Sequence, residues 1–193
     1  MAIAVLALQG AFIEHEKRLE SLGAEVFEIR EAADLARPFS GLVLPGGEST
    51  VQGKLLLELG LFDALKARIE GGLPVLATCA GTILLASRLE DDPTKWFGTL
   101  PVTVRRNAFG RQLGSFRAEE EMKGIGRIPM TFIRAPLITE TAPGVDILAR
   151  SKGGICAVRF GNQLALTFHP ELDPDPAVHR LFLEMVRESG GKP

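Results

Sequence analysis

The sequence is short of the features that mark several large classes of protein. Its 193 residues include two cysteines, Cys79 and Cys156, which are too few for a disulfide scaffold and fit a reducing cytoplasm. The net charge is −2, from 22 basic and 24 acidic residues, so no general positive field attracts nucleic acid. The most apolar stretch, residues 73–86, is interrupted by polar residues and is too short to cross a membrane.

The first residues also lack the basic segment of a secretory signal, and the apolar run 2–8 is typical of a first strand instead. No internal repeat, low-complexity segment or linker is visible along the chain. Hydrophobic residues make up 46% and charged residues 24%, which are ordinary values for a soluble protein. We therefore expect one soluble domain spanning residues 1–193, large enough to bury a sizeable core.

Strand-like and helix-like segments alternate along the first half of the chain. Apolar runs of strand length are each followed by apolar residues at helical spacing among charges. The predicted strands are residues 2–8, 24–30, 41–45 and 74–78, and the predicted helices are residues 11–23, 49–59, 61–69 and 80–89. Such alternation predicts a parallel sheet covered by helices on both faces.

The second half changes character after residue 100. Short strand-like segments, separated by glycine, proline or charged clusters, follow one another until an amphipathic helix at residues 177–188. We therefore predict an α/β fold of three layers, with a mostly parallel central sheet, helices on both of its faces and a smaller antiparallel extension.

Cys79 lies where the apolar run 74–78 gives way to a helical pattern. Ala77 and Gly81, two residues to either side, are small enough for the sharp turn of a nucleophile elbow. The partial positive charge at a helix N-terminus favours a thiolate. We predict that Cys79 is a nucleophile, with an inert buried cysteine as the alternative. Cys156, inside the run GICAVRF, is predicted to be only a small apolar residue of a strand.

A thiolate nucleophile needs a general base, and the chain offers three histidines. His15 and His179 lie among charged residues of predicted helices, and we expect both at the surface. His169 follows the apolar run LALTF at the end of a predicted strand, where sheets of this kind collect ligands. Glu171 is placed to orient its imidazole as the third member of a triad. A simple loop histidine at a strand end is the alternative for His169.

Six stretches, in this order, resemble one family. They are LALQGAFIEH (6–15), LVLPGGEST (42–50), TCAGTILLA (78–86), RRNAFGRQ (105–112), FIRAP (132–136) and FHPEL (168–172). Together they resemble the class I, triad-type glutamine amidotransferases, and among these the glutaminase subunits of pyridoxal 5′-phosphate synthase. The departures, a less acidic GTLPVTV segment and the lack of tyrosine, do not touch the chemistry.

This resemblance implies an activity and a partner. Cys79 would attack the side-chain amide of L-glutamine, with His169 as general base and then acid and Glu171 as its orienting group. The products would be glutamate and ammonia, and the ammonia would pass through a protein channel to a (β/α)8-barrel subunit that makes pyridoxal 5′-phosphate. The resemblance implies that this chain itself holds no cofactor and no metal.

The resemblance also implies which residues contact L-glutamine, including two arginines whose guanidinium groups suit its α-carboxylate. The implied contacts are Gly47, Glu48, Ser49, Arg106, Ile133 and Arg134. For Arg106 the alternative is a phosphate-binding or surface arginine in a basic loop, together with Arg105 and Arg111. For Ser49 a competing interpretation is a capping box with Gln52, which would begin the next helix.

Two adjacent glycines, Gly46 and Gly47, follow the third predicted strand. The resemblance implies that the N–H groups of Gly47 and Ala80 form an oxyanion hole. A peptide plane between two glycines turns over easily because each glycine tolerates positive φ. We predict that this plane turns its N–H inward only when the synthase subunit docks. The alternative is that the glycines merely make a tight turn between strand and helix.

Three other functions share parts of this pattern. Another ammonia-channelling glutaminase, such as the one that feeds imidazole glycerol phosphate synthesis, would not carry LQGAF and RNAFGRQ. A non-catalytic partner-binding module would be expected to lose Cys79, His169 or Glu171, and all three are present. A cysteine hydrolase with a similar elbow commonly has a histidine directly after the cysteine, where this chain has Ala80.

Overall fold

The computed structural model of the protein describes residues 2–90, 92–108 and 114–190. The strands are β1 (Ala2–Leu6), β2 (Glu25–Ile29), β3 (Gly41–Leu44), β4 (Val75–Thr78), β5 (Ala86–Leu89), β6 (Leu100–Arg105), β7 (Ser115–Met122), β8 (Gly126–Ile133), β9 (Leu137–Thr141), β10 (Asp146–Ser151), β11 (Gly154–Phe160) and β12 (Gln163–Leu166). The helices are α1 (Phe12–Ser21), α2 (Ser49–Glu58), α3 (Phe62–Glu70), α4 (Ala80–Leu85) and α5 (Ala177–Gly190), with short 3₁₀ helices at Ala32–Ala36 and Pro170–Leu172. None of the helices in these ranges is long and apolar enough to span a membrane.

The strands form one sheet with a parallel centre. Five neighbouring strands, in the order β2-β1-β3-β4-β12, run parallel to one another. Beyond β12 the sheet continues through the antiparallel strands β11, β10, β7 and β8, while β9 pairs with β11 and β6. The predicted α/β class, with a parallel centre and an antiparallel extension, is confirmed.

Helices cover both faces of the sheet because successive side chains of a strand point to opposite sides. On β3, Leu42 and Leu44 join an apolar cluster with Leu56 of α2 and with α3 and α4. Val43, between them, joins a second cluster with Phe182 of α5 and with α1. Two separate cores therefore lie above and below the sheet, which gives the three predicted layers.

One predicted helix is wrong in its second half. The pattern predicts a helix over residues 80–89, but α4 ends at Leu85 and the next four residues form β5, which pairs with β6. Every residue of α4 is buried, so this stretch shows no alternation of apolar and polar positions that would mark where the helix ends.

The parallel centre brings several loops to one edge of the sheet. The segments that follow β1, β3, β4 and β12 all leave from the carboxyl ends of neighbouring strands. These segments are residues 7–11, 45–48, Cys79 and 167–169. In parallel sheets this edge is where ligands bind, and it is where the predicted functional residues gather.

Candidate active site

Cys79 lies on the sharp turn that its small neighbours predict. Its backbone has φ 47° and ψ −102°, a strained conformation for a residue other than glycine. The turn is held from both sides, because the Cys79 N–H and the Thr82 hydroxyl donate to the Leu166 carbonyl of β12, at 2.9 and 2.6 Å. A Cβ atom on Gly81 would lie 2.1 Å from the carbonyl oxygen of Leu44, so only glycine allows α4 to approach β3 this closely.

His169 and Glu171 follow β12 in a loop that is bound to β8. The His169 N–H donates to the Thr131 carbonyl at 2.8 Å. The buried carboxylate of Asp173 accepts hydrogen bonds from the Thr131 N–H and hydroxyl, at 3.0 and 2.9 Å. These contacts fix the short 3₁₀ helix that carries Glu171 between the two anchored residues.

The three predicted triad residues come together at this edge. Nδ1 of His169 lies 2.7 Å from Oε1 of Glu171, and a Cβ atom on Gly46 would approach both His169 and Cys79, so the ring lies beside the Cys79 side chain. Burial alone would lower the pKa of His169, but its hydrogen bonds to Cys79 and Glu171, and their charges, raise it to about 10. Burial would likewise raise the pKa of Glu171, but the histidines beside it lower it overall. The arrangement is that of an imidazolium held between a carboxylate and a sulfur.

Gly46 makes room for the histidine rather than simply closing a turn. A Cβ atom on Gly46 would lie 2.4 Å from Cε1 of His169 and 3.3 Å from Cβ of Cys79. The carbonyl of Gly46 accepts a hydrogen bond from the Ala11 N–H at 3.1 Å. The peptide plane between Gly46 and Gly47 is therefore held in one orientation, and turning it over would break that bond.

The predicted capping box between Ser49 and Gln52 is wrong. Helix α2 is preceded by Glu48, and no side chain caps it. Gln52 is fully buried, and its amide donates instead to the carbonyls of Gln9 and Pro45, at 2.8 and 3.2 Å. Gln52 therefore supplies a donor to each of these two carbonyls. The side chain of Gln9 in turn accepts from the Glu48 N–H at 2.7 Å, so the loop after β3 rests on the loop after β1.

A cleft of about 260 Å³ opens above Cys79 and His169. All six residues predicted to contact L-glutamine line it: Gly47, Glu48, Ser49, Arg106, Ile133 and Arg134. The remaining lining residues were not predicted as site residues: Gln9, Thr50, Ile83, Asn107 and Pro136. Glu171 and Ala80 are not among the lining residues, and Glu171 is buried. Gln9 could have been found from its position directly after the first predicted strand.

Charged and strained residues stand around the cleft. Arg134 is 3.0 Å from Glu48, and Arg106 is 2.6 Å from Asp92. Three lining residues, Cys79, Asn107 and Arg134, have positive φ, and strained backbone of this kind is common at functional sites. Residues 109–113, which include Arg111 and the end of the RRNAFGRQ stretch, lie outside the described residues.

The prediction that His15 and His179 are surface residues is wrong. Both are fully buried, and Nδ1 of His15 lies 3.0 Å from Nε2 of His179. Nε2 of His15 lies 3.2 Å from the hydroxyl of Thr78, the residue before Cys79. Glu14, the residue before His15 on α1, is exposed while the histidine is buried, and the sequence does not show which way the histidine points.

Cys156 lies in the middle of β11 and is 2% exposed. Burial raises its pKa to about 12, and its sulfur lies 3.9 Å from the sulfur of Met130. Its contacts are therefore those of a small apolar residue, which confirms the sequence-based interpretation.

A parallel α/β sheet with a cysteine elbow, and with a histidine and a carboxylate after the adjacent strand, has the architecture of the class I glutamine amidotransferases. Residues 5–188 match the SNO glutamine amidotransferase family, and the chain belongs to that family.

Two curated relatives are similar over nearly their whole length. The pyridoxal 5′-phosphate synthase subunit PdxT of Desulfitobacterium hafniense (strain Y51) is 55% identical over 193 residues, covering 100% of this chain and 97% of the relative. The protein of the same name from Methanocorpusculum labreanum is 55% identical over 186 residues, covering 96% of this chain and 98% of the relative.

Solved structures show the same architecture. A crystal structure of a glutamine amidotransferase superposes with a TM-score of 0.91 at 44% identity, covering 96% of this chain and 98% of the other. A glutamine amidotransferase from Thermotoga maritima superposes with a TM-score of 0.64 at 15% identity, covering 100% of this chain and 86% of the other. The second likeness concerns the fold alone.

Proposed function

We propose that this protein is the glutaminase subunit of pyridoxal 5′-phosphate synthase, and that it hydrolyses L-glutamine with a Cys79–His169–Glu171 triad. The observation that carries the mechanism is the 2.7 Å contact between His169 and Glu171, with His169 and Cys79 together lining the cleft. Full-length similarity to proteins named PdxT supports the particular synthase.

In the proposed reaction, His169 holds the proton of the Cys79 thiol and the sulfur attacks the amide carbon of glutamine. The tetrahedral intermediate collapses when His169 gives this proton to the amide nitrogen, and ammonia leaves. A thioester between Cys79 and the glutamyl group remains. Water then attacks the thioester while His169 takes a proton from it, and glutamate leaves as the sulfur is released. Glu171 keeps the imidazole oriented and stabilises its charged form.

The rim of the cleft suits an amino acid that carries both charges. The guanidinium groups of Arg106 and Arg134 are donors for the α-carboxylate of glutamine. Glu48, 3.0 Å from Arg134, is an acceptor for the α-ammonium group. Ile133 is partly exposed beside them and offers an apolar surface to the methylene groups of the substrate. These contacts would place the side-chain amide above Cys79.

The developing oxyanion needs backbone donors, and we assign them to the N–H groups of Gly47 and Ala80. The Gly46 carbonyl is bonded to the Ala11 N–H in this structure. We propose that docking of the synthase subunit turns the Gly46–Gly47 peptide plane over, at the expense of that one hydrogen bond. Cleavage of glutamine would then be coupled to the presence of an acceptor for ammonia.

Direct transfer of ammonia follows from its chemistry, since free ammonia becomes ammonium in neutral water and ammonium is no nucleophile. We propose a (β/α)8-barrel synthase subunit as the receiving partner and a protein channel as the route. Both cysteines are free thiols. Free thiols suit a reducing compartment, and the cytoplasm stays our prediction for the location.

The test is glutamine hydrolysis and pyridoxal 5′-phosphate formation with and without the candidate synthase subunit. We expect slow hydrolysis by the free chain, a higher kcat in the complex, and cofactor synthesis supported by glutamine. A complex containing Cys79→Ala should still make the cofactor from ammonium salts but not from glutamine. Failure of glutamine to support synthesis in the wild-type complex would contradict the proposed function. Full activity of the isolated chain, unchanged by the partner, would contradict the peptide gate.

A further inference from the structure

A line of buried polar contacts continues behind the triad into the interior. Oε1 of Glu171 bonds His169, and the second oxygen, Oε2, lies 3.3 Å from Nε2 of His15. His15 in turn lies 3.0 Å from His179. The line therefore connects α5, through α1, to the carboxylate that orients the general base. Within the described residues, Oε2 has no hydrogen bond of regular geometry, and Nε2 of His15 is a polar atom in contact with it.

These contacts select one protonation pattern. A buried carboxylate oxygen needs a donor, so Nε2 of His15 carries the hydrogen and faces Glu171 and the Thr78 hydroxyl. Nδ1 of His15 is then an acceptor for the Nε2–H of His179. If Nδ1 of His15 carried the hydrogen instead, Nε2 would direct a lone pair at the carboxylate of Glu171. This reverse pattern would also bury the Nδ1–H of His179, and that atom has no partner within the described residues.

Both rings are neutral at physiological pH, as this pattern requires. Burial lowers the pKa of His15, while the charges of Glu171 and Glu14 act against the shift and that of His169 adds to it. Burial lowers the pKa of His179 still further below its usual value, with the charges of His15 and Arg18 acting in the same direction. A neutral imidazole has one donor and one acceptor, and His15 uses both.

We propose that His15 is a positioning residue for the glutaminase reaction, whose Nε2–H holds the second oxygen of Glu171 while His179 fixes the tautomer of His15. The proposal rests on the triad of the proposed function. A buried carboxylate oxygen that loses its donor turns toward another one or takes up a proton. Either change weakens the contact that keeps the imidazole of His169 aligned with Cys79.

The competing role for His15 is purely structural: it would only stabilise the packing of α1 and α5, which both cover the same face of the sheet. A purely structural role predicts that removing His15 lowers the stability of the protein but leaves the acylation rate per folded active site unchanged. A positioning role predicts a slower acylation step per active site, with an effect that depends on Glu171. The two roles can therefore be distinguished by measuring the acylation rate and dividing it by the number of active sites.

The test compares His15→Leu, which removes the N–H, with His15→Gln, whose amide keeps an N–H close to the position of Nε2. Both are assayed in the complex with the synthase subunit. Active sites are counted by complete alkylation with a glutamine-like chloroketone. We expect single-turnover acylation per site to fall by about tenfold to a hundredfold in His15→Leu, the loss expected when a buried charged oxygen is left without a polar partner. The KM for glutamine should not change, and His15→Gln should stay within about threefold of wild type.

Leu19→Ala is the matched control, because Leu19 lies one turn along α1 and is fully buried in the same apolar cluster. It should lower the unfolding temperature and leave acylation per site unchanged. A double variant sharpens the result. Once Glu171→Gln has removed the carboxylate, adding His15→Leu should slow acylation by no more than about twofold, because coupled residues are not additive.

Three results would overturn the positioning role: wild-type acylation per site in His15→Leu, equal losses in His15→Leu and His15→Gln, or multiplied losses in the double variant. Wild-type acylation in Glu171→Gln would instead overturn the triad of the proposed function, so the two failures are distinct. If His15→Leu does not fold, His179→Leu tests the same line of contacts, and His179→Gln, which keeps a donor toward His15, should restore the rate.

Discussion

The turn after β4 and the middle of β11 each hold a buried cysteine, Cys79 and Cys156, within one continuous sheet. Their exposed fractions are 7% and 2%, so burial hardly separates them. Their backbones differ, since Cys79 has φ 47° at the end of a parallel strand and Cys156 continues an extended strand. Their neighbours differ as well, with His169 beside the first sulfur and the sulfur of Met130 beside the second.

This contrast shows that the place on the sheet, more than the residue type, decides what a thiol can do. At the carboxyl end of β4 the chain is free to turn, and loops from several parallel strands bring other groups within reach. In β11 both edges are occupied by neighbouring strands, and the carbonyl of Cys156 accepts from the Thr167 N–H at 2.9 Å. The variants and measurements below test the contrast.

The largest effect should come from Cys79→Ala. Without the nucleophile no thioester forms, and we expect glutamine hydrolysis by the complex to fall by about a millionfold, as when other covalent nucleophiles are removed. The unfolding temperature should change little because the methyl group fits the same space. Steady-state ammonia release and a thermal melt provide the two measurements. Undiminished hydrolysis would place the chemistry elsewhere and remove the distinction between the two cysteines.

Glu171→Gln should have the next largest effect. The amide retains the size of the carboxylate but not its charge, so His169 loses both its orienting acceptor and the stabilisation of its charged form. We expect acylation to slow by about a thousandfold to ten-thousandfold while glutamine still binds. Single-turnover mixing measures acylation, and binding is measured in the Cys79→Ala background. Acylation at the wild-type rate would show that this carboxylate is not the orienting group.

Gly47→Val should remove mainly the stimulation by the partner, measured as the ratio of hydrolysis by the complex to hydrolysis by the free variant chain. A β-branched residue restricts the backbone, and its Cβ would lie 2.4 Å from Oε1 of Gln9. If the Gly46–Gly47 plane must turn over, the variant complex should lose up to about a hundredfold of stimulated kcat, the usual value of one oxyanion donor. Hydrolysis by the free chain is the control. Stimulation equal to that of the wild type would leave the glycines with a purely steric role.

Much of this site could be predicted because its information is local in sequence. The elbow depends on small residues within two positions of Cys79, and the proposed general base and its carboxylate lie two residues apart in the 169–171 segment. Apolar runs followed by helical spacing predict the parallel centre of the sheet, because such strands are buried on both faces. Physical rules about turns and burial therefore sufficed for these features.

The remainder depends on contacts between distant parts of the chain. His15 meets Thr78 across 63 positions and His179 across 164, and no local pattern shows that either histidine faces the interior. Gln52 fits a capping box by spacing, yet its amide donates instead to the carbonyls of Gln9 and Pro45, which lie in the loops after β1 and β3. The start of β5 also cannot be predicted from the local sequence, because it is determined by pairing with β6, a separate strand.

The histidines offer a smaller but direct test of the electrostatics around Cys79. The raised pKa of His169 means that it is still charged at pH 8, whereas the lowered values of His15 and His179 leave those rings neutral. NMR of histidine labelled with carbon-13 should therefore show one imidazolium among three rings at pH 8, losing its proton near pH 10. Three neutral rings at that pH would contradict the proposed charge on His169.

The raised pKa of His169 also makes the stability of the folded protein depend on pH. Because the folded pKa of His169 lies above its unfolded value of 6.5, its contribution is complete below about pH 6.5 and is lost as the pH rises through about 10. Glu171→Gln removes a negative charge and should move this loss to lower pH. Denaturant unfolding of both proteins from pH 6 to pH 10 measures the difference, and coincident pH profiles would show that Glu171 does not support the charge.

Cys156→Ala should have the smallest effect of all. Removing one buried sulfur leaves a small cavity beside Met130, and we expect a loss of about 1 kcal/mol in the free energy of unfolding with glutamine hydrolysis unchanged. Cys156→Ser should lower the free energy of unfolding by more, since it buries a hydroxyl beside a weakly accepting sulfur.

Iodoacetamide should label the native chain once, at Cys79, and reach Cys156 only after unfolding, because that thiol is buried with a pKa of about 12. Labelling of Cys156 in the native chain, or slower hydrolysis in Cys156→Ala, would mean that the thiol in β11 takes part in the chemistry. Its position within the sheet would then not keep it unreactive.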